Sequence, residues 1–259
     1  MGLLDTEKQF HLNISKGDIG EYVILAGDPG RIPKIAEHFD SPSFVAQNRE
    51  YVTYTGFLDG VKISAVSTGI GGPSAAIAAE ELIRCGAHTF IRVGTSGGMK
   101  DCVRGGDLVI ATAATRSEGT SHEYIPDDFP AVADFQVVSA LKEAAIPLSD
   151  NNELGKKYHI GVIHSKDSFY GETNPETMPV ESILRYKWDS FIKCGCLTSE
   201  MEAAALFSVG IARGVRMGCV LTALWNAERH AKGLPDTVCH SSERAIKCAV
   251  EAMRILINQ

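Results

Sequence analysis

Three glycines within four positions, Gly69, Gly71 and Gly72, separate an apolar stretch from a helix-forming one, and this constrains the chain more than any other feature. Val61–Val66 reads as a strand, and the alanine-rich run that closes on Glu80-Glu81-Leu82 reads as a helix capped by Ser74. A strand that turns through glycine into a helix directs free backbone N–H groups outward and lets a ligand approach the backbone closely. A turn of this kind also serves as a plain structural corner. Two further glycine turns, however, follow strand-like runs: Gly27-Asp-Pro-Gly-Arg31 and Arg92-Val-Gly-Thr-Ser-Gly-Gly98. Each sets an arginine beside the turn, and a guanidinium with backbone N–H groups is a common way to hold a phosphate.

Apolar strand-like runs recur at Tyr22–Gly27, Val61–Thr68, Thr89–Thr95, Asp107–Thr115, His159–Ser165 and Gly218–Trp225. Helix-like segments lie between several of them: Arg31–Phe39, Ser74–Cys85, Gln136–Ala145 and Glu202–Arg213. The last helix is the most regular, with Ser241 or Ser242 as cap and Ala245, Ile246, Ala249, Val250, Met253 and Ile257 at helical spacing. Alternation of this kind predicts an α/β domain with a largely parallel or mixed central sheet. The polar interval Tyr170–Asp189 reads as a surface excursion, and excursions of that length often serve as lids or binding loops.

The 259 residues suffice for a core that needs no disulfide or metal. A net charge of -7 excludes a general nucleic-acid or membrane-surface binder, which needs a basic face, but not a small anion held at a local positive site. No run reaches the ~20 apolar residues of a membrane span, and the apolar stretch within Met1–Lys8 is too short for a signal peptide. Seven cysteines, an odd number without a Cys-x-x-Cys pair, suit a reducing cytoplasm. Cys194-Gly-Cys196 reads as two thiols packed near a strand.

Two constellations carry chemistry. Arg31, Arg92 and Thr95 predict a phosphate site at strand ends, where ligands collect in α/β sheets. In Ser199-Glu-Met-Glu-Ala-Ala-Ala205, Glu200 and Glu202 stand two apart before a helix. Two-apart acids do not share a helix face, so they act together only from an extended segment entering the helix. There a carboxylate can accept both hydroxyls of a ribose, or it can complement the helix dipole.

These residues resemble a nucleoside phosphorylase of the family that contains uridine phosphorylases and the hexameric bacterial purine nucleoside phosphorylases. Thr68–Leu82 carries the family's Gly-x-Gly-x-Pro-Ser core with its trailing Ile-x-x-x-Glu-Leu. Phe10-His-Leu, Gly27-Asp-Pro-Gly-Arg31, Arg49-Glu50, Arg92-Val-Gly-Thr95, Phe129-Pro-Ala-Val-Ala-Asp134 and Ser199-Glu-Met-Glu202 match in order, from about residue 9 to residue 257. Phe10-His-Leu, Tyr51–Gly56, Glu118–Asp134 and Phe169-Tyr170 look most like bacterial uridine phosphorylases. The resemblance implies one domain over residues 1–259, a central mixed β-sheet flanked by helices, and phosphorolysis of a nucleoside without a required cofactor. It implies that Gly27, Arg31, Arg92 and Thr95 bind inorganic phosphate and that Arg49 reaches it from a neighbouring subunit. Met201 and Glu202 would hold the ribose, with the neighbour's His11 at the 5′-hydroxyl, and Phe169 would pack on base and sugar. Glu50, Ile70 and Ser74 match positions that in some uridine phosphorylases hold a monovalent cation such as K⁺ between subunits. Sites shared in this way imply a homo-oligomer built of dimers, a hexamer by resemblance.

The base loop departs from the pattern. Uridine phosphorylases usually read uracil with a glutamine and an arginine after the Phe-Tyr pair. Here Glu172 stands at the glutamine position and Thr177 at the arginine position. Ionised glutamate only accepts hydrogen bonds, and a carboxylate beside a departing uracil anion repels it. Arg229 or Lys166 can compensate, or Glu172 can accept from the N–H groups of guanine or hypoxanthine. The strand-end run Trp225-Asn-Ala-Glu-Arg229 lacks the Ser-Asp pair of the purine enzymes; Glu228 is the nearby acid, and Trp225 reads as core. Three readings follow: a uridine phosphorylase, the same reaction on guanosine, inosine or a modified nucleoside, and a catalytically weak nucleoside-binding protein.

Overall fold

The computed structural model describes residues 8–150 and 152–259, so the reading of residues 1–7 lies outside it. Strand β1 (Tyr22–Ala26) leads through a short turn into helix α1 (Ile32–Ala36). Strands β2 (Asp40–Asn48), β3 (Tyr51–Leu58) and β4 (Val61–Ser67) follow, then α2 (Gly72–Arg84), β5 (Thr89–Gly98), β6 (Leu108–Ser117), β7 (Ala131–Val132) and α3 (Phe135–Ala145). The rest comprises β8 (Tyr158–Lys166), α4 (Phe169–Thr173), α5 (Glu181–Cys194), β9 (Thr198–Glu200), α6 (Ala203–Arg213), β10 (Arg216–Asn226), α7 (Ala227–Ala231) and α8 (Glu243–Ile257).

The expected single mixed sheet is present, and it partly closes on itself. β1 pairs in parallel with β4 and β5, β5 with β10, β6 with β8, and β8 with β9. β10 and β6 are antiparallel, as are β5 and β9, so β5, β10, β6, β8 and β9 form a closed ring of strands. From β5 the sheet runs outward through β1, β4, β3 and β2.

Side chains alternate across each strand, and helices cover both faces. Val23, Leu25 and Val66 face one core with α2 and α6, whereas Ile24, Ala26, Ile63 and Ala65 face the other with α1, α3 and α8. Alanines 75, 76, 78 and 79 of α2 and 203–205 of α6 are all buried, and their small side chains let these helices approach closely.

Several sequence expectations change. The antiparallel strands β2 and β3 and the short β7 and β9 were not among the expected runs; β2 is largely exposed, and its apolar run, Phe44-Val45-Ala46, is only three residues long. Helix α2 begins after Gly71, so Ser74 sits in its first turn and is not its cap. The Tyr170–Asp189 interval is helical, forming α4 and most of α5, and α5 buries none of its residues. Its polar composition reflects an exposed helix and not a coil. Gly195, left-handed at φ 94°, ends α5, leaving Cys194 exposed and Cys196 buried.

Candidate active site

A cavity of ≈ 1270 Å³ opens at the carboxyl ends of the parallel strands, as expected for an α/β sheet. Its floor is the glycine-rich segment after β4. Gly69 has φ 68°, and a Cβ there would lie 2.7 Å from Glu50 Cγ, so only glycine brings the turn this close to β3. The N–H of Gly71 donates to Glu202 Oε1 at 2.6 Å. The free N–H of the turn is thus aimed at a carboxylate across the cavity.

Arg92 is the centre of the polar network. It is buried in β5, donates from Nε to Glu200 Oε2 at 3.1 Å and bonds Glu202 Oε2 from its terminal nitrogen. Burial opposes its charge, but Glu202 and Glu200 together outweigh that and hold its pKa above the ordinary value. The two acids divide the two roles open to them in the sequence. Glu200 accepts the backbone N–H groups of Glu202 and Ala203 at the start of α6, at 2.8 and 2.9 Å, and so anchors both Arg92 and the helix. Glu202 faces the cavity. Its pKa is raised, first by burial, with Arg92 opposing and Glu200 reinforcing the shift.

Arg31 lies across from Arg92, its terminal nitrogen 3.4 Å from Thr95 Oγ1. Asp28 positions it by accepting the Gly30 N–H at 2.9 Å and capping the short turn that ends in Arg31. Burial and the neighbouring Arg92 lower the Arg31 pKa. Two guanidiniums held so near each other, with Thr95 of β5 lining the same cavity, favour an anion between them. Gly27 and Met201 also line the cavity.

The opposite end carries a second charge cluster. Lys166 Nζ lies 2.7 Å from Glu172 Oε1 and donates to Ser199 Oγ at 2.6 Å, while Ser199 Oγ donates to Glu172 Oε2 at 2.7 Å. His164 Nε2 is 3.6 Å from Glu172 Oε2, and its Nδ1 is 2.7 Å from Thr115 Oγ1. Burial, with Lys166 and Lys187 adding to it, pushes the His164 pKa down to about 3, so the ring is neutral. Phe169 lines the cavity and packs edge-on against Tyr170.

Other expectations are corrected. Thr177 does not line the cavity; it is exposed and donates to the Asn174 carbonyl at 2.8 Å, because a short turn at Pro175–Thr177 faces it outward. Arg229 is committed elsewhere, donating to the carbonyls of Pro235 and Asp101, and so cannot serve the base. Trp225 is 43% exposed and lines the cavity instead of packing in the core. Glu228 accepts the Trp188 indole N–H at 2.7 Å, which ties α5 to the start of α7 over the cavity. From the sequence, Trp188 and His164 had no role and Ser199 was named only as the first residue of its acidic motif; for His164 the stretch Ile163-His-Ser-Lys166 at the end of β8 was the available signal.

His11 and Arg49 are absent from the lining of the cavity of their own chain. They sit together beside it: the His11 backbone N–H and Nδ1 reach Glu81 at 3.0 and 2.7 Å, Asn48 donates to the His11 carbonyl at 2.8 Å, and Arg49 lies over the Phe10 ring. Ser74 Oγ is 2.8 Å from Glu50 Oε1, and Ile70 is 76% exposed. The Glu50 pKa is lowered by its own backbone N–H and by Ser74. A carboxylate and a hydroxyl are hard oxygen donors of the kind an alkali cation takes. Among the described residues no cluster of three or more His, Cys, Asp or Glu could hold a metal ion, and no helix is long and apolar enough to cross a membrane.

The phosphorylase superfamily model matches residues 21–257. The chain is 53% identical to a uridine phosphorylase of Treponema pallidum over 98% of this chain and 96% of that one. It is 43% identical to a uridine phosphorylase of Thermococcus kodakarensis, covering 96% and 86%, and 39% identical to a guanosine phosphorylase of Halorubrum lacusprofundi, covering 96% and 99%. With the glycine turn, the paired arginines and Glu202 converging on one cavity, these matches show that the chain belongs to the phosphorylase superfamily.

Proposed function

We propose that this chain catalyses the reversible phosphorolysis of a nucleoside, uridine first, to free base and ribose 1-phosphate. The observation that carries this reading is Arg92, buried and held by Glu200 and Glu202 in the same cavity as Arg31 and Thr95. A protein that only bound nucleosides would have no use for two guanidiniums at an anion site.

The chemistry follows from charge. Phosphate lies between Arg31 and Arg92, with Thr95 and the backbone at Gly27 completing its shell. Glu202 accepts the ribose 2′- and 3′-hydroxyls, and Met201 packs on the sugar. A phosphate oxygen forms a bond to C1′ as the bond from C1′ to the base nitrogen breaks and leaves its electron pair on the base. The proton that phosphate brought ends on the base. The transition state is a cationic ribose between two anions, so positioning and fixed charges supply the catalysis without a covalent enzyme intermediate. Phosphate entry between Arg31 and Arg92 relieves their mutual repulsion and frees Glu202 from Arg92 to take the sugar.

In a dimer, Arg49 and His11 of one subunit would complete the phosphate and 5′-hydroxyl contacts of the other; their position beside the cavity supports this. Glu50, Ser74 and the Ile70 carbonyl would hold a monovalent cation between subunits. Seven free thiols suit a reducing cytoplasm.

The test is Arg31→Ala. Arg31 is only partly buried and makes one weak hydrogen bond, so the protein should fold. The KM for phosphate should rise about 10- to 100-fold, the loss of one charge-assisted contact. An unchanged phosphate dependence would remove Arg31 from the site.

A further inference from the structure

Resting on the phosphorylase reading, we propose that Glu172 and Lys166 read the hydrogen-bonding edge of the base, and that this pair admits guanosine as a substrate alongside uridine. A buried ion pair seldom stabilises a fold more than apolar residues of similar size would. This one lines the cavity instead of packing into the core, and each of its members is itself largely buried. Such a pair is best explained by what it recognises.

The orientation of the carboxylate is fixed. Lys166 holds one oxygen at 2.7 Å, and Ser199 holds the other at 2.7 Å while accepting from the same ammonium. Each oxygen keeps a lone pair for a ligand, and the ammonium keeps a third proton. The wall therefore offers two acceptors and then a donor. Guanine presents the complement: its 2-amino group and N1–H donate, and O6 accepts. Uracil matches at N3–H and O4 only, and its O2 would face a carboxylate oxygen. Hypoxanthine matches at N1–H and O6, with an apolar C–H where guanine has its amino group. His164, kept neutral by burial, adds no charge that would change this pattern.

Lys166 also serves the leaving group. As the bond from C1′ to N9 breaks, the electron pair passes into the purine ring and charge gathers in part on O6, where the ammonium donates. The base then takes the proton that phosphate supplied, so no further reagent is needed. The cavity has room for a purine nucleoside.

The experiment compares guanosine, inosine and uridine on the wild type and on Glu172→Gln. Guanosine should exceed inosine in kcat/KM by about 10-fold or more, the discrimination from one added hydrogen bond to a charged group. Glu172→Gln should lower guanosine at least 10-fold relative to uridine, because the amide turns one acceptor into a donor facing the 2-amino group. Equal rates on guanosine and inosine, or an equal loss on all three nucleosides in the variant, would overturn the proposal. Both tryptophans, Trp188 and Trp225, line the cavity and give a readout that needs no turnover. Quenching of their fluorescence should show guanosine binding the wild type tighter than inosine, and equal affinity would likewise overturn the assignment. Cleavage of uridine with no preference among the purines would refute this inference and leave the phosphorylase reading standing. If no nucleoside is cleaved with phosphate, guanosine as a substrate falls together with the phosphorylase reading, and tighter binding of guanosine than inosine would then leave standing the reading of the base edge by Glu172 and Lys166 alone.

Discussion

At the residue scale, Arg92 joins stability to function. Its two carboxylates are buried around it, so removing the guanidinium leaves uncompensated charge in the interior. Arg92→Ala should abolish phosphorolysis and also cost about 3–5 kcal/mol of stability, seen as a lower midpoint in chemical denaturation. Full stability in an inactive variant would contradict the burial argument. His164 makes the opposite case. Its folded pKa, near 3, lies below its ordinary value near 6.5, so between these values the unfolded chain binds the extra proton. Its contribution to stability is therefore present above about pH 6.5 and is lost as pH falls toward 3, at about 1.4 kcal/mol per pH unit. His164→Gln should flatten the fall in stability between pH 6.5 and 4.5 relative to the wild type; parallel profiles would exclude this. Arg31, Arg92, Thr95 and Glu202 were legible in the sequence as residues of the cavity, because Arg31 follows a strand-like run at a glycine turn, Arg92 and Thr95 lie at the glycine-rich end of another, and Glu202 stands at a helix start. Thr177 and Arg229 were misplaced because a loop's local direction and a side chain's backbone partners depend on tertiary packing.

At the scale of elements, α4 and α5 form the wall that closes the cavity, and α5 carries no buried residue of its own. Among its ties, the bond from Trp188 to Glu228 at 2.7 Å crosses the mouth. A hydrogen bond to a charged group contributes about 1.5–3 kcal/mol. Trp188→Phe should therefore raise the KM for nucleoside about 10-fold and speed amide exchange in α5, with the melting temperature little changed. Unaltered exchange in α5 would show that other contacts hold the helix. The sequence marked this interval as a lid or binding loop but not as helix, because Pro175, Pro179 and the surrounding charges mask Leu184, Trp188 and Phe191, which recur at helical spacing in α5. The strands buried on both faces were legible at their true positions, since a short, continuous apolar run between turns suits a strand covered by helices on either side.

At the scale of the whole molecule, a mixed sheet closed through β9 and β10 brings Arg92, Glu202, Lys166 and Glu172, distant in sequence, to one cavity. The closure was invisible in the sequence, because β9 is only Thr198–Glu200 and its pairing is set by the fold. The proposed sharing of sites between subunits makes a further prediction. Arg31→Ala and Arg49→Ala chains, each weak alone, should regain about a quarter of wild-type activity when randomly assembled together, since half the dimers are mixed and each mixed dimer has one intact site. No recovery would place Arg49 outside the neighbour's site. The most direct test of the account is release of uracil from uridine with and without inorganic phosphate, with ribose 1-phosphate measured in parallel. The account predicts uracil and ribose 1-phosphate in equal amounts, and only when phosphate is present. Uracil released equally well without phosphate, or no release under either condition, would contradict it.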